Sequence, residues 1–202
     1  MPMKTIYLVR HGQYDPEGEA EDGLGGGLSL AGMTQAKLTA KRLSVYPITT
    51  MHSSSLTRAV QTAKIIAEEH PNLLVKESDI LWELTPPVPY LIMKYVKEIS
   101  SEKMAAEERK AEKAFQTYFK PAEGENDEYE IIVCHGNIIR YFICRVLKVS
   151  VLAWLNFETY NCSINSVEID EFGNMKLLSY NESGHLPEEL KTQNLTSMGV
   201  GV

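Results

Sequence analysis

Ile6-Tyr7-Leu8-Val9-Arg10-His11-Gly12-Gln13 is the stretch that decides the fold. Four consecutive apolar residues predict a short strand buried on both faces, as in a parallel sheet covered by helices. Arg, His and Gly follow at once. In open α/β sheets the ligand crevice lies at the carboxyl ends of the strands. This strand therefore delivers a guanidinium and an imidazole to that crevice, and Gly12 lets the chain turn sharply and leaves the imidazole open. Tyr129-Glu130-Ile131-Ile132-Val133-Cys134-His135-Gly136-Asn137 repeats the pattern. It runs on into a helix with Ile138, Ile139, Phe142, Ile143, Val146 and Leu147 on the core side. His135 is thus expected at a strand's end and a helix's start, where phosphate and carboxylate ligands bind. One such His reads more readily as a capping residue. Two of them, each on strand-His-Gly, are hard to assign to structure alone.

The chain has 202 residues, 44% hydrophobic and 23% charged, enough for a full core in one α/β domain. That domain is expected over residues 1–190, with a flexible tail over 191–202. A net charge of −7 argues against nucleic acid or an anionic membrane surface as the main partner. No apolar run approaches the length of a transmembrane helix. Met1-Pro2-Met3-Lys4 leads straight into the first strand, so no targeting segment or membrane anchor is seen and a cytoplasmic location is expected. Cys134, Cys144 and Cys162 lack metal-type spacing and read as reduced thiols.

Between the two His motifs lie a loop, two helices and a proline-rich stretch. Residues 15–30 carry five acids and then a Gly cluster, a flexible loop that either is simply solvated or gates the adjacent site. Residues 31–43 predict a helix with Met33, Ala36, Ala40 and Leu43 on one stripe, followed by a short strand over 49–52. Leu56, Ala59, Val60, Ala63, Ile66 and Ala67 define a second helix, with one of Ser53, Ser54 and Ser55 expected to cap it. Arg58 falls in its first turn, where the helix dipole disfavours a cation. That misfit points to an anionic ligand. A strand over 73–76 is expected to run on to Leu81-Trp82-Glu83-Leu84, and Pro86, Pro87 and Pro89 then stiffen a loop. Glu83 sits between Trp82 and Leu84, surroundings that raise a carboxyl's pKa toward that of a general acid. On these residues alone a surface Glu beside a core Trp is the plainer reading. Residues 90–119 predict a helix in two pieces broken near Ser100-Ser101, and 161–169 with 175–180 a final hairpin.

Two His and two Arg, with no acidic metal cluster and no Gly-rich P-loop, describe a phosphate site needing no metal and no cofactor. Arg10 and Arg58 would hold the phosphoryl oxygens, with Gln13, His135 and Gly136 completing the binding set. Their field favours a neutral His11, whose imidazole nitrogen can attack phosphorus and form a phosphohistidine. His135 adds a donor to the transferring group.

These residues resemble the motifs of the histidine phosphatase superfamily, also called the phosphoglycerate-mutase-like fold. Arg10-His11-Gly12 is similar to its signature, with His11 in the nucleophile's place. Leu28-Ser29, Gly32 and Gln35-Ala36 are similar to its next motif, and Ser53-Ser54, Leu56, Arg58-Ala59 and Thr62-Ala63 to the one after. His135-Gly136 matches its second His, and Asn161 with Ser163-Ile164 its late strand. The resemblance implies a three-layer α/β fold, a mixed, mostly parallel six-stranded sheet between helices. It also favours Glu83 as proton donor, since the family keeps that group just before a Pro-rich loop. The nearer likeness is to serine/threonine protein phosphatases of the family, on Arg10-His11-Gly12-Gln13-Tyr14 and Asn137-x-Ile139-Arg140-Tyr141, although Trp82 before Glu83 departs from their pattern. The expected activity is hydrolysis of a phosphorylated small molecule or phosphoprotein, with a homodimer as a conceivable assembly. A mutase acting on a small phosphorylated acid and a non-catalytic phospho-ligand binding module are the alternatives.

Overall fold

The computed structural model describes residues 1–15, 24–88 and 100–193. Strands β1 (Lys4–Arg10), β2 (Thr50–Ser54), β3 (Val75–Ser78), β4 (Glu128–Cys134), β5 (Ile164–Ile169) and β6 (Met175–Glu182) form one sheet in the order β3-β2-β4-β1-β5-β6. The first four strands run parallel, β5 lies antiparallel to β1, and β6 antiparallel to β5. This is the mixed, mostly parallel six-stranded sheet that the family resemblance implied. β1 sits between β4 and β5, and helices cover both faces of the sheet there, which is why its apolar run does not alternate.

Helices α1 (Leu30–Leu43), α2 (Thr57–Ala67), α3 (Ser101–Tyr118) and α4 (Gly136–Val146) cover the two faces. Side chains alternate across a strand, and the two cores divide accordingly. Ile6, Leu8 and Ile132 pack with Ala111 and Phe115 of α3 and with Ile138 and Phe142 of α4. Tyr7, Val9, Ile131 and Val133 pack with Ala40 and Leu43 of α1 and with Ala59, Ala63 and Ile66 of α2. The result is three layers, with the carboxyl ends of β1, β2 and β4 opening on one crevice.

Several local expectations change. No serine side chain caps α2: its N-cap residue is Leu56, and Ser54 Oγ accepts from Leu56 N at 3.3 Å. β3 stops at Ser78 and gives way to a 3-10 turn over Asp79–Leu81, so Glu83 follows a turn rather than a strand. The second piece of the 90–119 helix is α3, with Ser100 Oγ accepting from Lys103 N at its start. The first piece lies outside the described residues. So does the centre of the 15–30 loop, whose described ends meet through Asp15 N to Gly27 O at 2.9 Å and a Tyr14–Leu28 bridge. The hairpin turns at Gly173, whose φ of 79° suits glycine. Residues 194–202 of the expected tail also lie outside the description, whereas Thr192 is bonded to Asn161 and Gln35.

Candidate active site

β1 carries Arg10 to the crevice, and His11 begins the turn beyond it. The turn is tight because two glycines face each other. A Cβ on Gly12 would lie 2.7 Å from Gly32 O, and one on Gly32 would lie 1.9 Å from Gln13 O. Only bare backbone lets the start of α1 pack so closely against the His11 turn. Gly12 N donates to Thr62 Oγ1 at 3.0 Å, and Asn161 Nδ2 donates to His11 O at 3.0 Å. The nucleophile candidate is therefore fixed at its own carbonyl and at the next amide.

The tautomer of His11 follows from its two neighbours. Nδ1 lies 2.7 Å from Gly12 O, an acceptor, so this nitrogen carries the proton. Arg58 Nε donates to Nε2 at 3.1 Å, so Nε2 presents its lone pair. Burial holds the His11 pKa well below its ordinary value, and the charges of Arg58 and Arg10 push it the same way. Arg58 stands in the first turn of α2, as the helix pattern predicted, and its guanidinium lies 4.9 Å from the Tyr14 ring centre.

Arg10 is buried, with Nη1 donating to Thr159 O and Nε without a protein partner among the described residues. Gly136 lies against it: a Cβ there would be 3.4 Å from Arg10 Cζ and Nε. His135, fully buried, places its ring 5.0 Å from that of His11, and its Nε2 lies 2.8 Å from Ser54 Oγ. Burial first, then the neighbouring His11, Arg58 and Arg10, lowers its pKa well below the ordinary imidazole value.

Glu83 closes the other side. Its Oε1 accepts from Leu84 N at 3.2 Å and from Asn137 N, in the first turn of α4, at 3.1 Å. The carboxylate thus takes an unpaired N–H that the N-cap residue His135 leaves open. Desolvation raises the Glu83 pKa, opposed by Arg10, the Leu84 amide, Arg58 and Arg140, and desolvation wins.

The fold thus brings Arg10, His11, Arg58, Glu83, His135 and Gly136 to one crevice. Gln13 stands apart. Its side chain is engaged with Ser29 Oγ at 2.9 Å, and its amide with Gln35 Oε1 at 2.8 Å, at the start of α1. Ser54, Thr62, Tyr14 and Arg140 entered the sequence reading only as a candidate helix cap or as members of motifs, with no contact to the site assigned to them. Ser54, Thr62 and Tyr14 meet His135, the Gly12 amide and Arg58 across long sequence separations, whereas Arg140 bonds Gly136 O and Asn137 within its own helix.

A parallel-sheet crevice holding an unprotonated imidazole nitrogen, two guanidinium groups and a desolvated carboxyl describes a phosphoryl-transfer site. The profile of the histidine phosphatase superfamily (branch 1) matches residues 6–85 and 93–183, and the chain belongs to that superfamily. It is 37% identical over 187 residues to the Caenorhabditis briggsae protein named serine/threonine-protein phosphatase Pgam5, mitochondrial, covering 91% of this chain and 64% of that one. It is 32% identical over 195 residues to the Homo sapiens protein named serine/threonine-protein phosphatase PGAM5, mitochondrial, covering 95% and 66%. This chain therefore spans somewhat less than two thirds of either relative's length. Among solved structures, the Plasmodium falciparum phosphoglycerate mutase aligns over 93% of this chain and 96% of that one, at 30% identity and a TM-score of 0.63. The expected cytoplasmic location is overturned by both named relatives, which are mitochondrial proteins. No described helix is long and apolar enough to cross a membrane.

Proposed function

We propose that the chain is a phosphatase that hydrolyses phosphomonoesters, phosphoserine and phosphothreonine in proteins foremost, through a phosphohistidine on His11. From the same relatives we propose that it works at the mitochondrion. The observation that carries the mechanism is the Arg58 Nε to His11 Nε2 hydrogen bond, which puts a nucleophilic lone pair beside a phosphate-binding cation.

In the first step the Nε2 lone pair forms the N–P bond as the P–O bond to the leaving alcohol breaks. Arg10 and Arg58 hold the phosphoryl oxygens. With the Ser54 hydroxyl donating to Nε2 of His135, the proton of that ring sits on Nδ1, which has no partner among the described residues and can donate to a phosphoryl oxygen. Protonated Glu83 gives its proton to the departing alkoxide. In the second step Glu83, now a carboxylate, takes a proton from water as the water oxygen attacks phosphorus and the N–P bond breaks. Phosphate leaves, and Nε2 recovers its lone pair.

The protein-phosphatase reading is supported by the two named relatives; the 30% identical mutase supplies the competing one. Phosphate release from phosphoserine and phosphothreonine peptides, run beside isomerisation of 3-phosphoglycerate with and without its bisphosphate primer, separates them. Peptide turnover without isomerisation is expected. Primer-dependent isomerisation exceeding hydrolysis would make the chain a mutase.

A further inference from the structure

Arg140 lies on α4, one turn beyond Glu83's backbone partner Asn137, and is buried although it faces no carboxylate within ion-pair distance among the described residues. A buried guanidinium with no ion-pair partner is costly to keep. Its contacts show what it holds. Nη2 donates to Asn137 Oδ1 at 3.0 Å, and Nη1 to Phe157 O at 3.2 Å. Asn137 in turn donates its amide N–H to Glu83 Oε1 and its Nδ2 to Leu84 O at 3.0 Å. The Arg140 guanidinium also lies 5.2 Å from the Trp154 ring centre, and Trp154 Nε1 donates to Pro87 O at 2.8 Å. One side chain therefore joins two of the pins on the Pro-rich segment carrying Glu83, Asn137 at Leu84 and Trp154 at Pro87; the third, Glu107 of α3, accepts from Thr85 N at 2.6 Å.

We infer that Arg140 is a positioning residue for the proton donor, holding Glu83 through Asn137 and Trp154 and adding a cation to its surroundings. The inference rests on the proposed role of Glu83 as general acid. Stiff prolines alone do not place a carboxyl: the loop needs anchors at its carbonyls, and an arginine can serve two at once because its planar fork bonds along one edge while its face stacks on an indole. The charge matters separately. The charges that act on Glu83 are those of Arg10 from β1, Arg58 from α2 and Arg140 from α4; the Cys134 thiol lies at the end of β4, and the Glu107 carboxylate of α3 binds Thr85 N nearby. Arg10 and Arg58 are committed to the phosphate, whose negative charge offsets theirs when substrate binds. Arg140 instead spends its hydrogen bonds on Gly136 O, Phe157 O and Asn137 Oδ1, so on this reading its influence on the acid persists through the cycle.

The test compares kcat/KM for an alkyl and an aryl phosphate across pH in wild type, Arg140→Lys, Arg140→Met and, as reference, Glu83→Gln. The alkyl ester needs the acid and the aryl ester needs it little. Arg140→Met is expected to lose about 10²-fold with the alkyl ester, the scale of a misplaced catalytic group, and much less with the aryl ester. Its alkaline limb with the alkyl ester should move to higher pH, because removing a nearby cation makes Glu83 hold its proton more tightly. Arg140→Lys should lose alkyl activity with the limb in place. If Arg140→Met does not fold, Arg140→Gln removes the same charge and carries the test. Equal losses for the two esters, or a limb that stays or falls as water reaches the carboxyl, would make Arg140 a packing residue and overturn the inference. Equal losses in Glu83→Gln itself would instead show that the acid has been misassigned, a separate failure.

Discussion

Arg58 Nε and His11 Nε2 share a hydrogen bond of 3.1 Å, with the guanidinium donating to an unprotonated imidazole. A cation from α2 thus rests on the atom proposed to attack phosphorus, and it must turn to the phosphoryl oxygens when substrate arrives. The same contact disfavours the imidazolium, because a second proton on Nε2 would face a guanidinium N–H.

Arg58→Lys should therefore be a poor replacement. An ammonium keeps the charge but cannot bond in the plane of the imidazole and of two phosphoryl oxygens. Charge-assisted hydrogen bonds are worth about 1.5–3 kcal/mol each, so kcat/KM should fall by about 10–10²-fold, read in steady-state kinetics with an aryl phosphate. A lysine variant at wild-type efficiency would show that Arg58 is not a phosphate ligand.

Glu83→Gln keeps shape and removes the proton. A phenol departs readily as an anion, with a pKa near ~10, whereas an aliphatic alcohol needs protonation as its bond to phosphorus breaks. The loss in kcat/KM should be large, within the ~10²–10⁴-fold range of general acid catalysis, for alkyl esters and small for aryl ones. Comparable losses would leave His135 as the next candidate acid.

Stability should depend on pH in two opposed ways. His11 and His135 have folded pKa values well below the ordinary one, and His52 one of about 4. The unfolded chain then binds more protons, so stability present above about pH 6.5 is lost as pH falls through that range. Glu83 has a raised pKa, and its contribution has the opposite sign: it is present at low pH and lost as pH rises through the folded value. Urea midpoints should accordingly drop between neutral and mildly acid pH. Glu83→Gln should unfold no earlier than wild type at pH 8, and any gain should vanish toward acid. A Gln variant that is less stable at pH 8 would show that ionised Glu83 supports the fold.

The facing glycines make a packing prediction. Gly32→Ala puts a Cβ 1.9 Å from Gln13 O, closer than Gly12→Ala brings one to Gly32 O, 2.7 Å. Neither neighbour is a flexible side chain. Both variants should lose stability, on the order of 1–3 kcal/mol or more for such overpacking, with Gly32→Ala the worse in chemical denaturation. An unperturbed Gly32→Ala would mean that α1 is free to withdraw from the His11 turn.

Much of this site could be read from the chain because it repeats a local pattern. Ile6 to Gly12 and Ile131 to Gly136 each announce a buried strand ending in His-Gly, and adjacent parallel strands bring the two His rings together. Arg58 was visible for an electrostatic reason, a cation where the helix dipole disfavours one. What stayed hidden was pairing across distance. Ser54 looked like a helix cap, but its hydroxyl meets His135 on the neighbouring strand's far end. Asn161 reaches the His11 carbonyl because Cys162, at a φ of 58°, turns the chain beside β1. Gln13 was legible by its place after the signature, but the Ser29 hydroxyl that donates to its Oε1 was not. Polar side chains of this kind choose partners that only the sheet order brings within reach.

The covalent step is the centre of the account, and a rapid-quench measurement on His11 tests it most directly. Wild-type protein mixed with an aryl phosphate and quenched in alkali within milliseconds should carry acid-labile phosphate on His11, appearing and decaying at rates that match turnover. His11→Ala should stay folded, carry none, and retain less than about a hundredth of the wild-type kcat; the trapped phosphate, rather than the size of that loss, separates a nucleophile from a general acid or base. Full turnover with no phosphate on His11, or phosphate trapped on another side chain, would contradict the mechanism at its first step.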